Sequence, residues 1–350
     1  MYYLVTAKNC SLFYNKNRRL GKNYLNNTYL IDFMEVIGID VGGTNTRIAL
    51  VEIKKRPKII KEKTYLTNEV KSISSLINSF KKKPQAIGIG FAGPIISHKA
   101  KLTNADLKID TKEIKKNTNV EKIYLMNDFY ANGVGSKYIK KSDEIIINEG
   151  KGFKNNVSIV VGAGTGLGKS LIIDGNVYPC EPGGTTLTIE NIDDYALFDF
   201  LKIKYRRMPI YEDVLSGNGL LDIYEHLEIK SNLKTNIKIR RLIKKEPFYK
   251  AKVITKYSSN NELCDLTLQI FTKFYARFIR DTCLNLLSSK VYLVGGISVA
   301  IKPYLKKYFM EEFLNNQRYA KLLNKVHISL IKNLDIGIIG AGAVAGGLSK

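Results

Sequence analysis

Two passages of the chain follow one plan, and this repetition constrains the fold more than any other feature. A run of apolar and β-branched residues over 36–40 leads into the turn Gly42, Gly43, Thr44, Asn45, and residues 47–53 are apolar again. From Val157 the pattern recurs. A strand over 158–161, a glycine-rich turn over 162–168 and a strand over 170–173 are followed by Asp174 and Gly175, which turn into a third strand. Short apolar, β-branched runs bounded by glycine predict strands. Strand, turn, strand speaks against a dinucleotide or Walker-type site, where the glycine loop must open a helix facing phosphate. Gly168, Lys169 and Ser170 do end like such a loop, but Ala163 stands where its first glycine belongs.

The rest of the chain alternates in the same way. A helix is predicted over 72–81, with strands over 86–91 and 122–126, the second running into Asn127 and Asp128. Helices over 193–202, 212–226 and 262–287, a strand over 291–294, a helix over 301–313 and a strand over 327–331 follow. This is an α/β protein of two lobes, each a mixed sheet flanked by helices, with the default site in the cleft between them. The lobes are expected over 34–138 with 335–350, and over 139–334, the segment from Gly337 returning to the first lobe as a helix. Residues 1–33 are Asn-rich and basic, without a periodic apolar face or a signal peptide's apolar core. They read as an N-terminal extension, with Met34 the expected natural start.

The 350 residues carry a formal charge of +23, which raises the question of a polyanionic partner. Only 11 of the 55 basic residues are arginine, the residue binding faces lean on, and the lysine runs at Lys54/Lys55, Lys81 to Lys83 and Lys244/Lys245 are scattered. Solvated loops are the expectation, with no nucleic acid or membrane partner. Cys10, Cys180, Cys264 and Cys283 lie too far apart for a zinc ribbon, and His98, His226 and His327 add no ligand spacing. No run reaches the roughly 18–20 apolar residues of a membrane span, so a cytoplasmic protein is expected.

Chemistry concentrates at a few positions. Glycines at 42, 43, 162, 164, 166 and 168 would let main-chain N–H groups approach phosphate, Thr44 and Asn45 can donate from their side chains, and Asp40 can hold magnesium through its waters. Asp128 stands at the carboxyl end of an apolar strand, where doubly wound sheets place ligands, and is the candidate catalytic carboxylate. Its bland alternative is a helix N-cap.

Taken together, the run GIDVGGTNTR from Gly38, the pair Thr103 and Asn104, NDF from Asn127, GAGTGLG from Gly162, SGNG from Ser216, GGI from Gly295 and GIIGAG from Gly337 resemble the bacterial and archaeal glucokinases. These are relatives of the ROK sugar kinases within the superfamily of sugar kinases, actin and heat-shock ATPases. The resemblance implies two ribonuclease H-like lobes and ATP-dependent phosphorylation of a hexose, with ATP and magnesium as cofactors and dimerisation as a family expectation. It implies that Asp40 sits near magnesium and that Gly42, Gly43, Thr44, Asn45, Gly164, Thr165, Gly166 and Gly168 hold the phosphates. Gly295 and Gly296 would flank adenosine. Asn104, Asn127, Glu181 and Glu212 would contact the sugar, and Asp128 would take the proton of the attacking hydroxyl.

One departure stands out. The family usually shows Glu, two residues, then His, both touching the sugar, whereas Glu181 here leads to Gly184. One hydrogen bond to a neutral hydroxyl is worth about 0.5–1.5 kcal/mol, so the change bears on sugar choice more than on catalysis. Another acceptor (mannose, an N-acyl hexosamine) or a polyphosphate donor is the alternative within this fold. A sugar-responsive transcriptional regulator is the alternative outside catalysis, but residues 1–33 are too short and aperiodic for a helix-turn-helix.

Overall fold

A computed structural model of the protein describes residues 33–102, 107–231, 233, 236–246 and 250–349. The expected extension, Phe33 apart, and the candidate sugar ligand Asn104 lie outside the described residues. Strands β1 (Met34–Val41), β2 (Asn45–Ile53) and β3 (Pro57–Leu66) form an antiparallel meander. Strand β4 (Ile87–Phe91) pairs in parallel with β1. Strands β5 (Ile95–Ile96), β6 (Lys99–Lys101) and β7 (Lys108–Asp110) make a small separate sheet, and β8 (Ile123–Asn127) joins β4 in parallel. The first sheet therefore runs β3-β2-β1-β4-β8.

The second sheet repeats the plan. Strand β9 (Glu144–Glu149) is its far edge, β10 (Val157–Ala163), β11 (Leu167–Ile173) and β12 (Asn176–Cys180) are the meander, and β13 (Lys290–Val294) and β14 (His327–Ile331) extend it in parallel from β10. Its order is β12-β11-β10-β13-β14-β9. The duplicated α/β plan is thus present, with β9 as an addition. Central strands are apolar on both faces, as sheets covered on both sides require: Val36, Ile37, Ile39 and Val41 of β1 are all fully buried.

Helices α1 (Ile73–Asn78), α2 (Thr111–Thr118) and α3 (Asp128–Ser136) belong to the first half of the chain. The second half contributes α4 (Ile192–Tyr205), α5 (Gly217–Lys230), α6 (Ile237–Lys245), α7 (Lys250–Tyr257), α8 (Glu262–Leu286), α9 (Gly296–Ala300) and a C-terminal helix (Ile336–Ala345). Helix α8 supplies Phe271, Phe274, Tyr275 and Phe278 to the larger core. Arg277, over the Phe274 ring at 5.3 Å, donates to Asp194 at 2.5 Å and to Glu312 at 2.6 Å, tying α8 to α4. Among the described residues, no helix is long and apolar enough to cross a membrane.

The helices predicted over 212–226 and 301–313 differ most from expectation. The helix predicted over 212–226 begins at Gly217, because the Ser216 side chain caps it through the Gly219 N–H at 3.0 Å. Tyr211–Asp213 is a separate 3-10 turn, held by the Asp213 carboxylate on the Ile210 N–H at 2.9 Å. The helix predicted over 301–313 is interrupted by a π-turn at Leu305–Phe309.

The helices that follow β8 and β14 are exchanged between the sheets. Helix α3 keeps contact with β4 and β8 of the first sheet but packs over β10, β11 and β12 of the second, with the Phe129 ring against Gly168. The C-terminal helix leaves the second sheet and packs on β1, β2 and β4 of the first. The approach is close: a Cβ on Gly88 would stand 2.0 Å from the Ala341 carbonyl oxygen, and one on Gly340 would stand 1.8 Å from that of Ala131. Only glycine admits such contacts. They set the two helices against each other and bring their N-termini, carrying Asp128 and Gly337, to the end of β1.

Candidate active site

The first glycine turn closes with the Gly42 N–H donating to the Asn45 carbonyl at 3.0 Å. Thr67 braces it from below, its N–H donating to the Thr44 carbonyl at 2.9 Å and its hydroxyl to that of Gly42 at 2.8 Å. The second turn closes from the Gly164 N–H to the Gly166 carbonyl at 2.8 Å, and the Gly217 N–H donates to the Gly164 carbonyl at 2.8 Å. The turns meet. Thr44 and Thr165 hydroxyls lie 3.0 Å apart, and Gly43 packs against the Thr165 side chain. Gly295, at φ +90°, stands against the Ala163 carbonyl, and a side chain on Gly296 would meet nothing within 4 Å. Gly42, Gly43, Thr44, Asn45, Gly164, Thr165, Gly166, Gly295 and Gly296 are therefore gathered. Gly168 is not in the turn: it lies within β11, where a Cβ would enter the Phe129 ring at 1.9 Å. Lys169 also lies on that strand, its ammonium 5.4 Å over the Phe278 ring, so no P-loop exists here.

Asn127, rather than Asp128, caps α3. Its Oδ1 accepts the N–H groups of Phe129 at 2.8 Å and Tyr130 at 3.2 Å, while its Nδ2 donates to Glu181 Oε1 at 3.4 Å. Asp128 is the first helical residue, half-buried, with Oδ1 accepting the Phe129 N–H at 2.9 Å. Burial pushes its carboxyl up to about 7, with the charges of Asp40 and Glu181 adding to the shift. Asp40, the penultimate residue of β1, stands opposite Arg47; burial raises its carboxyl too, against the pull of that guanidinium. Arg47 itself engages Asp335, at the start of the C-terminal helix, and Gly337 of that helix lies against Asp40.

Glu181 and Glu212 complete the acidic line. Partial burial, then the neighbouring Glu212, raise Glu181. Glu212 accepts the Leu167 N–H on Oε2 at 2.9 Å, beside the second glycine turn. Asp40, Asp128, Glu181 and Glu212 thus form a chain of mutually repelling carboxylates beside the two glycine turns, in a protein that is otherwise strongly basic. Such a set can accept hydrogen bonds from a neutral polyol, remove a proton, and hold a hard cation. Gly184, downstream of Glu181, faces open space.

Several supporting residues had no sequence signal. Thr67 acts on a turn more than twenty residues earlier in the chain. Arg207 makes two bonds of 2.7 Å to Asp213 and so fixes the turn bearing Glu212. Ser216 and Gly217 did have a signal, a Ser-Gly-Asn-Gly run: Ser216 caps α5 and Gly217 is anchored on Gly164.

Comparison with known proteins identifies the family. The sequence model of the family described as Glucokinase matches residues 37–347. The glucokinase of Nostoc punctiforme is 28% identical over 332 residues, covering 87% of this chain and 97% of that protein. Among solved structures, glucokinase from Balamuthia mandrillaris in complex with glucose superposes with a TM-score of 0.77 at 18% identity, over 91% of this chain and 96% of that one. A ROK family glucokinase from Streptomyces griseus, in complex with glucose and AMPPNP, gives 0.63 at 14% identity, over 89% of this chain and 99% of that one. With the family match running from β1 to the end of the C-terminal helix, the chain belongs to the glucokinase family.

Proposed function

We propose that this protein transfers the γ-phosphoryl group of ATP to a hexose, glucose foremost, giving glucose 6-phosphate. The observation that carries the reading is Asp128, which shares the Phe129 N–H with the capping Asn127 and whose carboxyl is pushed up to about 7 by burial and the charge of Asp40. A carboxyl near neutrality suits a general base at physiological pH. Phosphoryl transfer has a loose transition state that needs alignment and charge neutralisation more than covalent help.

In this reading Asp128 accepts the proton of the attacking sugar hydroxyl. The turns at 42–45 and 164–166 hold the phosphates through main-chain N–H groups, Thr44 and Thr165 add hydroxyls, and Gly168 supports the turn from β11. Gly295 and Gly296 border the adenosine. Asn127, Glu181 and Glu212, with Asn104, receive the sugar hydroxyls. The donors fit magnesium: Asp40 and Asp128 are neighbouring carboxylates beside the turn at 42–45, and this ion uses one or two carboxylates with waters and phosphate oxygens. Asp40 would hold it through water. When bound, magnesium neutralises developing charge on the phosphates.

The lobes are taken as 34–138 with 335–350 and 139–334, with residues 1–33 an extension. A cytoplasmic location and a homodimer complete the proposal. Closing the lobes over the sugar would exclude water and limit ATP hydrolysis.

The test is ADP release with magnesium and ATP over a panel of glucose, mannose and N-acetylglucosamine. Glucose-dependent release is expected. Turnover with another hexose alone would keep the chemistry and make the open space at Gly184 the reason for the changed acceptor. Silence with every hexose, or turnover with polyphosphate and not ATP, would overturn the reading.

A further inference from the structure

Glu212 touches both halves of the site at once. Its Oε2 accepts the Leu167 N–H at 2.9 Å, directly after the turn at 164–166. The same atom occupies the space where Cβ atoms of Gly166 and Gly183 would lie, 2.5 and 2.8 Å away. Gly166 belongs to the nucleotide-side turn, and Gly183 to the segment that follows Glu181 on the sugar side. The turn carrying Glu212 is itself anchored, since Asp213 is clamped by Arg207 and the Tyr211 N–H donates to the Thr185 carbonyl at 2.9 Å. The sugar-side segment, Glu212 and the glycine turn are therefore one hydrogen-bonded chain, ending at the Thr165 and Thr44 contact.

We propose that Glu212 is a positioning residue for the phosphate-binding turn, and that its carboxylate couples sugar binding to nucleotide binding. The inference rests on the reading that the hexose lies against Glu181 and Glu212. A carboxylate on a main-chain N–H is a charge-assisted bond, so the turn is already ordered when nucleotide arrives and less freedom is lost on binding. A sugar that bonds the same carboxylate fixes it further, and the linkage is reciprocal.

The alternative roles predict different signs. If Glu212 only contacted sugar, its removal would leave nucleotide affinity in sugar-free protein unchanged. If it acted only as a negative charge near a polyanion, its removal would tighten nucleotide binding. A positioning role predicts weaker binding despite the lost charge.

The experiment is equilibrium binding of the non-hydrolysable analogue AMPPNP, with magnesium and without sugar. Glu212→Ala should raise Kd about tenfold, within the range of about 5- to 150-fold usual for coupled sites. Glu212→Gln keeps an acceptor oxygen for Leu167 and should hold Kd within about twofold of wild type. Gly183→Ala, on the sugar side, would push the carboxylate off the turn and should also weaken the analogue. Saturating glucose should tighten AMPPNP in the wild type and lose that effect in Glu212→Ala. The sugar-free arms involve no turnover, so their outcome is separate from whether glucose is the substrate. Unchanged or tighter AMPPNP binding by Glu212→Ala, or equal weakening by Ala and Gln, would overturn the assignment.

Discussion

Replacing Asp128 with Asn should slow catalysis and at the same time stabilise the fold, by an amount that grows with pH. Burial and the Asp40 charge hold the Asp128 carboxyl at about 7, against an ordinary 3.8. The folded protein therefore binds this proton more tightly than the unfolded chain does. Stability from this group is complete below about pH 4, is lost progressively as pH climbs toward 7, and changes no further above that. Roughly three pH units at about 1.4 kcal/mol each set a ceiling near 4 kcal/mol for the loss. Water in a half-buried cleft lowers the effective figure to about 1–3 kcal/mol. Asn is uncharged and can keep the bond from the Phe129 N–H, which Asp128 Oδ1 accepts at 2.9 Å, so the variant recovers that amount.

The assay is urea denaturation of both proteins at pH 8 and pH 5, without nucleotide or divalent ions. Asp128→Asn should be the more stable at pH 8, and the gap should shrink at pH 5. Turnover of glucose with ATP should fall about 10²- to 10⁴-fold in the variant, and in the wild type kcat/KM should rise with pH through the region of 7. A variant no more stable than wild type at pH 8, or a gap that ignores pH, would refute the account of Asp128 as a destabilised carboxylate.

Gly88→Ala should cost about 2 kcal/mol or more, because its Cβ would stand 2.0 Å from the Ala341 carbonyl and lift the C-terminal helix off the sheet; unchanged denaturation would place that helix elsewhere. Arg207→Met removes both bonds to Asp213 and frees the turn bearing Glu212. The KM for sugar should rise several-fold with the fold intact, and an unchanged KM would mean the turn holds without its clamp. Chelation with EDTA should abolish turnover and added magnesium should restore it; activity persisting in EDTA would remove the role given to Asp40.

What could be read in the sequence was local. The two strand, turn, strand units announce themselves because apolar runs flank glycines, and their recurrence gave the duplicated fold before any contact was known. Strands β3 and β9, each at a sheet edge, escaped because polar and charged residues break their apolar pattern. Lys58, Lys61 and Lys63 on β3, and Glu144 and Asn148 on β9, interrupt the apolar pattern for the same reason that edges carry charge, to discourage pairing with other chains. The start of α5 was misplaced because Glu212 and Asp213 look like a first helical turn, whereas the Ser216 hydroxyl is the actual cap. The family resemblance proposes Glu212 as a sugar ligand, but no sequence pattern points to its bond with Leu167, 45 residues earlier in the chain.

The adjacency of Asn127 and Asp128 shows why the proposed general base needs a neighbour. A carboxylate at the first position of a helix would ordinarily be stabilised by the helix dipole and drawn into capping, both of which lower its pKa and its basicity. Asn127 takes the two N–H groups of the first turn, so that duty does not fall on Asp128 alone. The exchanged helices then decide what surrounds it. Helix α3 packs against the second sheet, while its first residue stands beside Asp40 of the first. The burial and like charge that raise Asp128 therefore come from both sheets, and neither half of the duplicated chain could generate this base by itself.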